Sequence, residues 1–167
     1  NDYLLSAHMV QHMLIGDVAS VLLVLGVSGG LTAMVPRWVL ALAGRPWMAF
    51  LGWVAVTGGW YVPALYERAL SDPLVHWVMQ TSIIWAGLAV WAHIVGIVPR
   101  RMSHARRAGF ATGLMACGVV ISEVLFLNGP LYPRYADQAD RLLGLSPVAD
   151  QTKAALIMGS EGMITMI

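Results

Sequence analysis

Apolar stretches long enough to cross a bilayer recur along this chain, and they leave it few folds to choose from. A helix rising about 1.5 Å per residue needs roughly 20 predominantly apolar residues to span the hydrocarbon. Five such stretches can be drawn, at about 3–27, 47–63, 74–98, 109–128 and from about 151 onward, still running at Ile167. Residues 31–45 read as a shorter interfacial helix, with Arg37, Trp38 and Arg45 around apolar positions and Pro36 and Pro46 as punctuation. The expected fold class is therefore all-α, a polytopic transmembrane helix bundle. Only 11% of the 167 residues are charged, against roughly 25% in a soluble domain. The chain opens without an initiator Met or a signal pattern and ends on apolar residues. It reads as a single transmembrane domain, 1–167, cut at both ends.

Charge orients the spans. Arg37 and Arg45 lie between the first two, and Arg100, Arg101, Arg106 and Arg107 between the third and fourth. Alternating spans bring these two loops to one side, which the positive-inside rule makes cytoplasmic. The 99–108 loop is then cytoplasmic, while the N-terminus, the 64–73 loop and the acid-containing 129–150 loop are extracytoplasmic, in a plasma membrane protein. The arginines are few and juxtamembrane, so no nucleic-acid partner is indicated.

Ala7-His8-Met9-Val10-Gln11-His12-Met13 carries the chemistry. His8 and His12 stand four residues apart on one helical face, as do Met9 and Met13. Imidazole with thioether suits copper(I) rather than magnesium, calcium or manganese, although each of these residues could equally be a packing residue. His76 falls at the start of the third span, Glu123 near the outer end of the fourth, and Met158, Glu161 and Met163 in the outer half of the fifth. These donors lie within about 10 Å of one plane at the helical rise. A carboxylate facing lipid is costly, so Glu123 and Glu161 are expected to point into the bundle, as neutral or paired groups or as balance for a cation. Asp17 is about 180° around the helix from His8 and should serve another contact. His93 sits at the opposite depth and Cys117 reads as a small core residue. A b-type haem held by His12 with His76 or His93 is a further, lesser possibility. No hydrolase triad, phosphate loop or dinucleotide fingerprint is present, so no catalysis by the chain itself is read.

Several ordered motifs resemble the CtaG-like assembly-factor family of cytochrome c oxidase, in the form described for caa-type oxidases. They are His8-Met9-Val10-Gln11-His12-Met13, Pro63-Ala64-Leu65-Tyr66 and Asp72-Pro73-Leu74-Val75-His76. They continue with Pro130-Leu131-Tyr132-Pro133-Arg134-Tyr135, Ser146-Pro147-Val148-Ala149-Asp150-Gln151 and Leu156-Ile157-Met158. The resemblance implies a polytopic protein acting in haem-copper oxidase maturation and linked to copper delivery. Members usually have about seven spans, and often a second histidine four residues after the one matching His76, where this chain has Gln80.

The resulting expectation is an oxidase assembly factor that binds or delivers copper(I) on the extracytoplasmic side. Its metal candidates are His8, His12, Met13, Met9, His76 and Met158, with Glu123 or Glu161 balancing charge. Its partners are the oxidase catalytic subunit or other respiratory-complex subunits, and the lipid bilayer. The alternative is a structural accessory subunit of a respiratory membrane complex with no metal of its own.

Overall fold

The computed structural model describes residues 4–26, 44–98, 102–138 and 142–165, the side chains of Leu142 and of residues 163–165 aside. The expected interfacial helix of 31–45 falls almost wholly outside those residues, as does the side chain of Met163. The described chain is helical, with no strands among the described residues.

Helix α1 runs Leu5–Gly26, with its middle, Leu14–Ala19, wound as a π turn. Helix α2 is Pro46–Trp60 and α3 is Pro63–Ser71, with 72° between them. Helix α4 is Pro73–Val95 and α5 is His104–Leu127. A short α6, Pro133–Ala136, and a 3₁₀ turn, Leu142–Gly144, lead to α7, Pro147–Thr165.

Local chemistry places these boundaries. Proline occupies the first turn of α2, α3 and α4, where the missing N–H is not needed and its fixed φ suits a helix start. Asp72 caps α4, its Oδ1 accepting the N–H of Leu74 at 2.8 Å and of Val75 at 3.3 Å. Gly96 ends α4 in the left-handed conformation, at φ 83°, which a side chain rarely tolerates. Ser103 caps α5, which starts several residues before the expected 109. Arg106 and Arg107 therefore belong to a helix rather than to a loop.

Among the described residues three helices, α1, α4 and α5, are long and apolar enough to cross a membrane, and the bent pair α2–α3 makes a fourth if it is one span. This corrects the expected five. The last segment does form a helix, but Asp150, Lys153 and Glu161 all fall within α7, more charge than an apolar span carries. The 64–73 stretch, expected as a loop, is mostly α3. Pro63 breaks the run after Trp60 because it has no N–H to continue the hydrogen-bond ladder. Beyond it, Tyr66 and Ala69 turn inward and are buried.

Helix α7 packs against α1 and α5, α4 against α1 and α2. The α1–α4 crossing is very close. A Cβ on Gly87 would lie 2.0 Å from the Gly16 carbonyl oxygen and 2.6 Å from Ser20 Oγ, so only glycine fits. One buried cluster gathers Leu5, Met9, Tyr66, Met79, Leu125 and Met158 with Tyr132 and Tyr135 at one end of the bundle. A second, around Val24, Val90, Trp91 and Leu114, fills the other.

Candidate histidine site

The N-terminal turn of α1 is held from the far end of the sequence. Asp150, in the first turn of α7, accepts the N–H of Leu5 at 2.7 Å and of Ser6 at 3.1 Å, and the Ser6 hydroxyl at 2.5 Å. Free N–H groups at a helix start need acceptors, and a buried carboxylate supplies strong ones. Its neighbour Gln151 joins the other wall. The Gln151 amide donates to the carbonyls of Leu125, Asn128 and Gly129 at 2.8, 3.0 and 2.8 Å, and its oxygen accepts the Leu131 N–H at 2.8 Å. These two residues fix α1, the end of α5 and the chain after it around one point.

His8 and His12 stand there, 1% and 2% exposed. Their Nε2 atoms are 2.9 Å apart in a hydrogen bond, with the rings edge to face. His8 Nδ1 is hydrogen-bonded to the Tyr135 hydroxyl at 3.1 Å. His12 Nδ1 is buried and has no hydrogen-bond partner among the described residues. The His76 ring lies 5.5 Å from that of His8, centroid to centroid. Its Nε2 is engaged by the Gln80 amide at 3.2 Å.

Tyrosines close the surroundings. Tyr66 packs against both imidazoles, at 5.6 and 6.4 Å between ring centroids, and against Tyr132 at 4.4 Å. The Tyr132 hydroxyl donates to the Tyr61 carbonyl at 2.9 Å, and the Arg134 N–H to Glu67 Oε1 at 3.1 Å. Thus 131–135 is tied down over the α2–α3 bend. The Tyr61 hydroxyl donates to Met9 Sδ at 3.3 Å, and Met9 is fully buried. Burial, the Glu67 carboxylate and Tyr135 together push the Tyr132 phenol well above its usual pKa of 10.

Of the expected donors, His8, His12, Met9 and His76 meet at this end of the bundle. Met158 shares the buried cluster with Met9. Met13 and Met158 also line a cavity of about 40 Å³ with Asp17 and Glu161. There Asp17 accepts the Trp91 indole N–H at 3.2 Å. Asp17 does serve a contact away from the histidines. Glu123 does not point inward as expected: it is exposed and lines an open groove with Ser122, Phe126 and Leu156. Ser122 takes the inward position, donating to the Ala155 carbonyl at 2.6 Å, and the next residue is carried about 100° around the helix. His93 is buried against Phe110 beside the other cluster, 17 residues along α4 from His76, or about 25 Å at the helical rise. Among the described residues no three His, Cys, Asp or Glu side chains form a group fit to hold a metal ion.

Sequence reasoning missed the tyrosines, Glu67, Asp150 and Gln151 as parts of this site. Their polar atoms sit in short loop or helix-start stretches: Tyr66, Tyr132, Tyr135, Asp150 and Gln151 carry the resemblance, whereas Tyr61 and Glu67 lie outside its motifs.

The whole chain, residues 1–167, matches the family described as cytochrome c oxidase caa3 assembly factor, Caa3_CtaG. The chain belongs to that family. No curated protein and no solved structure matches it. Among the resemblance motifs of this Caa3_CtaG chain, His8–Met13, Pro63–Tyr66, Pro130–Tyr135 and Ser146–Gln151 each send at least one side chain into the histidine site or its supports. The motif residues therefore converge in space on one place.

Proposed function

We propose that this Caa3_CtaG chain is a plasma-membrane assembly factor for a haem-copper oxidase that takes up copper(I) at the hydrogen-bonded His8–His12 pair and passes it to the oxidase catalytic subunit. The cluster is taken to lie on the extracytoplasmic side, with the 99–108 loop cytoplasmic and the 129–150 loop extracytoplasmic. The role is non-catalytic. Three features support it: two neutral-capable imidazoles in contact at 2.9 Å, a His12 Nδ1 without a partner among the described residues, and buried methionine sulfur beside them. Nitrogen and thioether donors without a third hard ligand favour a soft monovalent ion over zinc or magnesium. Met9, Met13, Met158 and His76 are the remaining candidate donors, and Glu161, at the neighbouring cavity, can balance charge. A site of few donors also suits an ion that has to leave again.

The carrying observation is the His8–His12 contact. Copper(I) titration of the purified protein, wild type against His8→Ala/His12→Ala, tests it: binding lost in the double variant is expected, and undiminished binding rejects the site.

One observation favours a second reading, an accessory subunit of a respiratory complex without its own metal. Gln80 engages the ring nitrogen of His76, where the resemblance implies a second histidine. Stoichiometric co-purification with an oxidase, with no metal on this chain, favours that reading. A haem b held by His12 and His93 has no support in the distance between the two clusters. An absorbance spectrum without a Soret band excludes the His12–His76 version too.

A further inference from the structure

The two imidazoles are not equivalent, and their hydrogen bonds say which one is ready to hold an ion. His8 uses both ring nitrogens: Nδ1 to the Tyr135 hydroxyl at 3.1 Å and Nε2 to His12 Nε2 at 2.9 Å. His12 uses only Nε2, and its Nδ1 is buried without a partner among the described residues. An N–H···N bridge needs one donor and one acceptor, so only two arrangements of the neutral pair are open.

In the first, Tyr135 donates to His8 Nδ1, His8 Nε2–H donates to His12 Nε2, and His12 buries an Nδ1–H with nothing to receive it. In the second, His8 Nδ1–H donates to the Tyr135 oxygen, and His8 Nε2 accepts the His12 Nε2–H. His12 Nδ1 is then a bare lone pair. Buried donors without acceptors are rarer in proteins than buried acceptors without donors. The second arrangement is also the one in which a ligand atom is already free, so any bound cation selects it. Coordination through both Nε2 atoms, by contrast, breaks the 2.9 Å bridge and leaves His12 with an unmet Nδ1–H.

We infer that, of the two imidazoles, only His12 contacts the ion, through Nδ1, while His8 and Tyr135 act behind it as a hydrogen-bonded relay that fixes the His12 tautomer and orientation. This deepens the copper(I) reading and rests on it for the identity of the ion. In the relay, His8 Nε2 accepts the His12 Nε2–H and makes the far nitrogen a stronger donor, as carboxylates do for metal-bound histidines. The Tyr135 oxygen accepts the His8 Nδ1–H, which leaves His8 Nε2 bare to accept. His8 is thus a positioning residue, and the role expected for it as a ligand passes to its neighbour.

Three measurements on the full chain in detergent test this. In metal-free protein, nitrogen-15 NMR of labelled histidine should show the proton on Nδ1 of His8 and on Nε2 of His12; the reverse assignment overturns the relay. Copper(I) competition titration should show binding lost in His12→Ala and weakened by about 10- to 100-fold in His8→Ala. His8→Gln should recover most of that loss, because its side-chain oxygen can accept the same N–H although it is a poor copper(I) ligand. Equal loss in His8→Gln and His8→Ala makes His8 a ligand and overturns the inference. X-ray absorption of the copper(I) form of His76→Ala should show one imidazole per ion, and two overturn it. Tyr135→Phe, which removes one oxygen, checks the outer link: its expected effect is a mixed His8 tautomer with a smaller loss of affinity, and an unchanged tautomer removes Tyr135 from the relay. If wild type binds no copper(I) yet shows the expected tautomers, the copper reading fails and the relay stands.

Discussion

Asp150 Oδ2 accepts the backbone N–H of Leu5 at 2.7 Å across 145 residues of sequence. The first turn of the histidine helix is therefore capped from another helix rather than by its own flank, since Leu4 offers no side-chain cap.

Replacing Asp150 by alanine should destabilise the protein by about 2–4 kcal/mol, because two backbone donors and the Ser6 hydroxyl lose a buried, charged acceptor together. Asp150→Asn should retain part of that stability, having one acceptor oxygen left. Denaturation midpoints in detergent measure both. Equal stability of wild type and Asp150→Ala would remove the cap from the account.

Gly87 gives a second, steric test. Alanine there puts a methyl group 2.0 Å from a backbone oxygen, which cannot rotate away. The α1–α4 crossing must open, at a cost of about 1–3 kcal/mol or more. Gly109→Ala, with nothing within 4 Å of the added carbon, should be neutral or stabilising by up to about 1 kcal/mol from helix propensity. Comparing the two in one unfolding assay isolates the crossing.

Gln80→His should tighten copper(I) binding at least about tenfold, or roughly 1.4 kcal/mol. The substitution frees the His76 ring nitrogen from the Gln80 amide and adds an imidazole one turn along α4. A competition titration against a soluble chelator reads the change. Unaltered affinity would place α4 outside the metal site.

Tyr132 predicts an alkaline limit. Its folded-state pKa is raised above the ordinary value of 10, so its contribution is complete below pH 10. Above that the unfolded state releases the proton first, and stability falls as pH rises toward the folded value. Tyr132→Phe should flatten this decline while lowering stability at neutral pH by about 1 kcal/mol for the lost hydrogen bond to Tyr61. Stability curves of the two proteins between pH 8 and about 12 test the sign.

The sequence made the long helices readable because hydrocarbon demands length and apolarity, and α1, α4 and α5 have both. The His8/His12 face was readable from spacing for the same geometric reason. The bend after Trp60 was less so. Pro63 could be seen, but α3 is too short and too charged at Glu67 and Arg68 to stand out from a loop. Glu123 illustrates a different limit: the cost of a carboxylate in lipid constrains a residue at mid-membrane depth, yet neighbouring Ser122 supplied the contact to Ala155. The tyrosines escaped notice because a phenol in a loop motif has no periodicity to betray where its ring will lie.

The hydroxyl of Tyr135 reaches His8 over 127 residues, and that of Tyr132 reaches Tyr61 over 71. A chain is made from its N-terminus, so the imidazoles enter the membrane long before the side chains that shield them exist. During synthesis they are open to whatever ions and water are at hand, and the enclosure shuts only when the late segments arrive. The order of synthesis thereby becomes part of the folding of the site: the two imidazoles are fully enclosed only once the last-made segments are in place.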